Sequence, residues 1–274
     1  MTVMSKDVFR PLDGPRLRVA DGGGTGMPVL FQHGLCGDAA QTAEVFPTDL
    51  GLRRITLECR GHGGSEAGDM TVFSIARFAD DIAEFIAARR LAPLVVGGIS
   101  MGAAIAMRLA VTRPDLVRGL VIARPAWSIK AAPANMRPNA EVGRLLSSME
   151  PQSARQAFAA GNTAQWLASE SPDNLASLMG FFSRDPHAVT AALLTTISRD
   201  GPGTEADQLQ QITVPTLVIA TRMDVIHPLA LAEELASLIP RARLIEITPK
   251  GTDRQTYVAE FRTALDGFLK EFMR

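Results

Sequence analysis

Residues 91–112 read LAPLVVGGISMGAAIAMRLAVT. The first half is a short apolar run of the kind that forms a buried strand, and the Ala-rich second half reads as a helix. Between them lies Gly98-Ile99-Ser100-Met101-Gly102, a GxSxG pattern in the strand-to-helix setting that a nucleophile elbow requires. So tight a turn crowds the backbone around Ser100, and glycine at positions 98 and 102 removes the side chains that would collide. The hydroxyl is then presented at the mouth of a sheet, where the first amides of the helix favour developing negative charge.

On either side of this stretch, short apolar runs alternate with segments of helical period. Candidate strands at 8–11 and 16–20 flank a turn at Asp13-Gly14-Pro15. The glycine run 22–26 is not a phosphate loop, since no Lys-Ser/Thr pair follows it and it precedes a strand. That strand, 28–32, runs into His33-Gly34-Leu35-Cys36-Gly37-Asp38, and a helix is expected over 39–49. The next strand, 54–58, leads into Cys59-Arg60-Gly61-His62-Gly63-Gly64-Ser65. Ile75, Phe78, Ile82, Phe85 and Ile86 then recur at helical spacing across 74–90, with Ser74 as a cap. After the elbow, 118–123 is a strand ending at Arg124-Pro125.

There the alternation stops. Residues 126–211 read as helices broken at Pro133, Pro138, Pro151, Pro172 and Pro186, an inserted helical lid. It resumes with a strand at 216–220, a helix at 229–238, a strand at 243–247 and a closing helix at 256–272 with Val258, Phe261, Leu265, Phe268 and Leu269 inward. The expected fold is therefore α/β, a mostly parallel central sheet covered by helices on both faces. Residues 1–125 and 212–274 form its core, and 126–211 the lid.

With 274 residues, 46% of them hydrophobic, the chain can bury one large core. A net charge of −1 with interspersed signs leaves no basic stripe for nucleic acid and no polybasic membrane anchor. Two cysteines, Cys36 and Cys59, have no metal-ligand spacing and fit a reducing cytoplasm. Neither a signal-peptide apolar region nor a run of membrane-spanning length is present, so a soluble cytoplasmic protein is expected. None of the four histidines falls in a metal-ligand pattern and no dinucleotide fingerprint occurs, so neither metal nor organic cofactor is implied.

Taken together, His33-Gly34, the Arg60-to-Ser65 motif, the Ser100 elbow and Asp224 resemble the α/β-hydrolase superfamily, most closely its lid-bearing esterases, lactonases and carbon–carbon bond hydrolases. The resemblance implies a nucleophilic Ser100, an oxyanion hole from the backbone amides of Leu35 and Met101, and Asp224 as the triad acid. It also places the triad histidine after the last strand. Thr252 stands there instead, and no histidine follows His227. A threonine cannot accept a proton near neutral pH as imidazole can.

His227, three residues beyond Asp224, is the first substitute to consider; its ordinary reading is a loop histidine before Pro228. His187 reads as a solvated residue at a helix start, while His33 is expected to fix the oxyanion loop near the substrate and His62 to stabilise a turn. Arg124 is suited to a substrate carboxylate or to a salt bridge with the lid. Lys130 and Arg137 fit a solvated face; Lys250 and Arg254, which flank Thr252, read first as solvated loop residues and second as a cationic surrounding for an anion or an enolate. Cys36 is a packing residue, since no base can be placed beside it.

The leading functional expectation is a hydrolase of a small carbonyl compound, anionic ones included: an ester, a lactone or a β-dicarbonyl. A lyase or decarboxylase holding an enolate in the same hole is the second. A catalytically silent small-molecule-binding protein is the third. Composition leaves the oligomeric state open.

Overall fold

The computed structural model describes residues 7–12, 14–48 and 51–273. Positions Asp13 and Asp49, in the expected first turn and at the end of the expected first helix, lie outside the described residues. The strands are β1 Val8–Phe9, β2 Leu17–Asp21, β3 Pro28–Gln32, β4 Arg53–Leu57, β5 Leu94–Ile99, β6 Val117–Ala123, β7 Thr216–Ala220 and β8 Ala242–Glu246. They form one sheet in the order β1-β2-β4-β3-β5-β6-β7-β8. β2 pairs antiparallel with both β1 and β4, and all pairings among β3 through β8 are parallel. This is the mostly parallel, helix-covered α/β sheet that the alternation predicts.

The period of two along each strand sorts the apolar residues to opposite faces of the sheet. On β5 to β7, Leu94, Val96, Leu120, Ile122, Val218 and Ala220 join one core. Their neighbours Val95, Val121, Leu217 and Ile219 join the other. Helices α1 Ala39–Val45, α2 Ile75–Ala88 and α3 Met101–Thr112 follow the early strands, with Ser74 capping α2 as expected by accepting from the Arg77 amide at 3.0 Å. Helix α1 ends at Val45, short of the expected span, because Pro47 cannot continue the ladder.

Between β6 and β7 run α4 Arg137–Ser148, α5 Pro151–Ala160, α6 Asn162–Glu170, α7 Pro172–Phe181, α8 His187–Ile197 and α9 Ala206–Gln210. The prolines sit where a missing N–H does least harm. Pro151 and Pro172 open α5 and α7, and Pro138 lies in the first turn of α4. Val142, Leu193, Leu194 and Ile197 of this segment share one apolar cluster with Phe78 and Ile82 of α2, so the insertion and the sheet bury a common surface. Helices α10 Leu229–Leu238 and α11 Arg254–Leu269 complete the layers, Phe261, Leu265, Phe268 and Leu269 of α11 being fully buried. Among the described residues no helix is long and apolar enough to cross a membrane.

Two loops at the carboxyl ends of the strands are tied together by buried polar groups. Glu58, fully buried, accepts from the amides of Ala39 at 3.1 Å and Gly64 at 2.7 Å and from Arg18. Arg60 grips Asp81 of α2 through two N–H donors at 2.7 and 2.8 Å, both side chains buried. These bonds fix the rim on which the Leu35 loop sits.

Candidate active site

Ser100 occupies the turn between β5 and α3 with φ 56° and ψ −111°, a conformation that costs a non-glycine residue about 1–3 kcal/mol. The surroundings hold it there. Its amide donates to Ala123 O at 2.9 Å, and its own carbonyl accepts the Ala103 and Ala104 amides of α3 at 3.0 and 3.1 Å. A side chain at Gly98 would lie 2.7 Å from the Gln32 carbonyl oxygen, and one at Gly102 2.8 Å from the His33 carbonyl oxygen. Both glycines are therefore demanded by backbone approach.

The Ser100 hydroxyl lies 2.9 Å from Nε2 of His227. Nδ1 of the same ring lies 2.9 Å from each carboxylate oxygen of Asp224. An ionised carboxylate only accepts, so Nδ1 carries the proton and Nε2 is left with a lone pair facing the serine. The imidazole comes from the loop after β7. Three polar side chains of the insertion shape that loop: Asn174 Oδ1 accepts from the Val225 and Ile226 amides at 3.0 and 3.2 Å, Asn135 Nδ2 donates to Ile226 O at 2.7 Å, and Ser171 donates to Met223 O at 2.8 Å. Asp224 itself accepts from the His227 amide at 3.0 Å.

Arg124 follows β6 and is buried. Its Nε donates to Asp224 Oδ2 at 3.0 Å, Nη2 reaches the same oxygen, and the guanidinium lies 5.8 Å over the Tyr257 ring. Its salt bridge is thus made with the candidate triad acid, which corrects the expected bridge to the lid and spends two of its donors away from any substrate. Burial pushes the Asp224 carboxyl up, but the Arg124 and His227 charges outweigh it and hold the group well below the usual carboxylate range. For His227, burial lowers the pKa, Asp224 raises it and Arg124 lowers it again, leaving it below the ordinary histidine value.

The expected substrate-side positions of Thr252 and His33 are also corrected, while Cys36, Lys130, Arg137 and His187 sit as expected. Thr252 is exposed and lines a neighbouring cavity of about 140 Å³ with Asp224, Met223 and Pro249, not the cavity at Ser100. His33 is fully buried and does not line the Ser100 cavity. Its Nδ1 lies 2.9 Å from Gly34 O and its Nε2 accepts the Cys59 amide at 3.1 Å, so the ring fastens the loop after β3 to the loop after β4. Cys36 is no nucleophile, since burial pushes its thiol up to about 12. Arg254 is exposed and paired with Glu44 at 2.8 Å, away from any anion site. Lys130 and Arg137 are exposed, as a solvated face requires. His187, half-exposed, opens α8 beside Asp185. Among the described residues no group of three or more His, Cys, Asp or Glu is placed to hold a metal ion.

Ser100 and His227 open into a cavity of about 110 Å³. Leu35 and Ile99 contribute from the sheet side, and Met136, Leu178 and Phe181 give an apolar roof from the insertion. Gln41, Asn139, Asn174, Ser177 and Lys250 contribute polar walls. A family model for the alpha/beta hydrolase fold matches residues 27–252, most of the chain, which includes the elbow and the Asp224–His227 loop. The chain belongs to the alpha/beta hydrolase fold family. A curated relative, "Putative non-heme bromoperoxidase BpoC" of Mycobacterium tuberculosis, is 28% identical over 250 residues, covering 84% of this chain and 88% of its own. Among solved members of this fold, the esterase EaEST from Exiguobacterium antarcticum superposes with a TM-score of 0.73 at 21% identity, over 96% of this chain and all of its own. The enol-lactonase from Burkholderia xenovorans LB400 gives 0.70 at 22% identity, over 94% and 98%. At these identities the two structures share the alpha/beta hydrolase fold with this chain.

Sequence reasoning alone missed Asn135, Ser171, Asn174 and Tyr257 as parts of this site. The one signal within reach was Asp224-x-x-His227, a spacing that lets a loop carboxylate meet an imidazole three residues on.

Burial also predicts how stability depends on pH. His33, His62 and His227 are all lowered below the ordinary histidine pKa, first by desolvation. The unfolded chain takes up protons near pH 6.5 while the folded protein does so only at lower pH, so unfolding is favoured as pH falls through that interval. Each ring that stays neutral costs up to ~1.4 kcal/mol per pH unit there. Calorimetry should show Tm declining between about pH 7 and pH 5; a flat Tm over that range would mean the rings are not held neutral.

Proposed function

We propose that this protein is a serine hydrolase of small carboxylic esters or lactones, with Ser100 as nucleophile, His227 as general base and then acid, and Asp224 as the group that orients the imidazole. The observation that carries this reading is the 2.9 Å approach of His227 Nε2 to the Ser100 hydroxyl, with Nδ1 tied to Asp224. Nε2 takes the serine proton as Oγ attacks the carbonyl carbon, and Asp224 stabilises the imidazolium that forms. Carbonyl oxygen charge develops beside the Leu35 loop and the start of α3, where the Leu35 and Met101 amides serve as the oxyanion hole, each worth roughly 3–4 kcal/mol. His227 then protonates the leaving alkoxide, and water, deprotonated by the same nitrogen, releases the acid.

The helical segment 126–211 serves as the lid, since its side chains roof the cavity. A lyase or decarboxylase needs no base at the serine, so the tautomer that Asp224 imposes on His227 favours acyl transfer. Names among the solved relatives include an esterase and an enol-lactonase, in keeping with ester and lactone substrates. Two free thiols fit a reducing cytoplasm.

Fluorophosphonate labelling followed by intact mass tests the reading. The wild type should gain one adduct and Ser100→Ala none. An unlabelled wild type would remove the acyl-enzyme mechanism.

A further inference from the structure

Resting on that reading and deepening it, we propose that Asn174 and Lys250 form a carboxylate subsite beside Ser100, so that the favoured substrates are esters or lactones that carry a free carboxylate elsewhere in the molecule. Asn174 is 3% exposed, and the backbone amides of Val225 and Ile226 both donate to its Oδ1. Backbone N–H groups only donate, so the oxygen end of this amide is determined and the other end is NH₂. Among the described residues, that NH₂ has no acceptor, and Asn174 lines both the Ser100 cavity and its neighbour. An amide NH₂ that borders the cavity without a protein acceptor is free to donate to a ligand there.

The charge at the same place fits the same ligand. Lys250, from the loop after β8, also lines both cavities. Among the described residues no carboxylate lines the Ser100 cavity, and its two cations are Arg124 and Lys250. Arg124 directs two donors to Asp224. Among the described residues Lys250 pairs with Asp173, at 3.2 Å in the wall of the neighbouring cavity, and its side chain is 28% exposed, leaving ammonium protons for an anion. An ammonium and an amide NH₂ converging on one space suit a carboxylate better than an ether or an alkyl group.

The test compares 4-nitrophenyl hydrogen succinate with its neutral methyl ester as substrates, alongside calorimetric binding of succinate. In the wild type, kcat/KM should favour the monoanion by about 10-fold to 100-fold, the worth of a charge-assisted hydrogen bond. Lys250→Met should bring that ratio close to one. Asn174→Asp keeps the acceptor for Val225 and Ile226 but replaces the NH₂ with a charged oxygen, and should lower the ratio further. Asp173→Asn frees Lys250 and should raise it, which the loss of a merely structural ion pair would not do. Turnover of neither ester, with succinate bound by the wild type and weakened at least 10-fold in Lys250→Met, would sustain the subsite while overturning the hydrolase reading. A wild-type ratio near one, a ratio unmoved in Lys250→Met, or the absence of both turnover and succinate binding would overturn the subsite.

Discussion

His227→Ala is expected to lower kcat on the order of 10⁶-fold, the loss that follows when the base of a serine hydrolase is removed, and to abolish fluorophosphonate labelling. Thr252→Val, by contrast, should keep kcat within about threefold, as expected for an exposed side chain outside the catalytic cavity. The contrast follows from position. His227 touches the Ser100 hydroxyl at 2.9 Å, whereas Thr252 is exposed and faces the neighbouring cavity. Only imidazole at this place has a lone pair and a charge change near neutral pH. Rates measured on one activated ester for the two variants separate the assignments. A large loss in Thr252→Val with a small loss in His227→Ala would return the proton-transfer role to the loop after β8.

Arg124→Met should destabilise the fold by about 3–5 kcal/mol, because it leaves the buried Asp224 charge without its cationic partner. Urea unfolding at pH 7 reads this directly. The loss depends on pH in a defined direction. Asp224 has a depressed pKa, so its pairing stabilises the fold fully above the ordinary carboxylate range, and that contribution is lost as pH falls through the depressed value. The difference between wild type and variant should therefore shrink below about pH 4. In catalysis the shift runs the other way along the pH axis. The Arg124 charge lowers the His227 pKa, so its removal raises that pKa and moves the acid limb of kcat/KM to higher pH. The groups that set this limb are Asp224, Arg124 and Asp173 around the ring, with Tyr257 packed behind the guanidinium. Arg124→Lys restores the charge but not the planar pair of donors, and should recover the limb better than the stability. An unmoved limb in Arg124→Met would confine Arg124 to a structural part.

The core of the fold was legible because it rests on local signals. Strands β3, β5 and β7 are short, largely apolar runs bounded by loop residues, and Ser74 and the spacing from Ile75 to Ile86 announce α2. The elbow was legible for the same reason. Gly98, Ser100 and Gly102 answer a steric demand that is met within five residues. Helix α1 was overextended because the pattern alone does not say how far before Pro47 the ladder stops.

The candidate base was not legible in the same way. Asp224 and His227 are close in sequence, but the direction in which the ring points is set by Asn135, Ser171 and Asn174, some 50 to 90 residues earlier, through bonds to Met223, Val225 and Ile226. The same holds for Arg124, whose partner is 100 residues away. By itself, then, the sequence determined the alternating α/β architecture, the position of Ser100 and the absence of a histidine after the last strand, since each depends on residue type and short spacing. Only the tertiary structure decided which imidazole meets the serine, which cation sits behind the acid and which amide faces the cavity, because a loop's conformation is set by hydrogen bonds to partners that folding brings together.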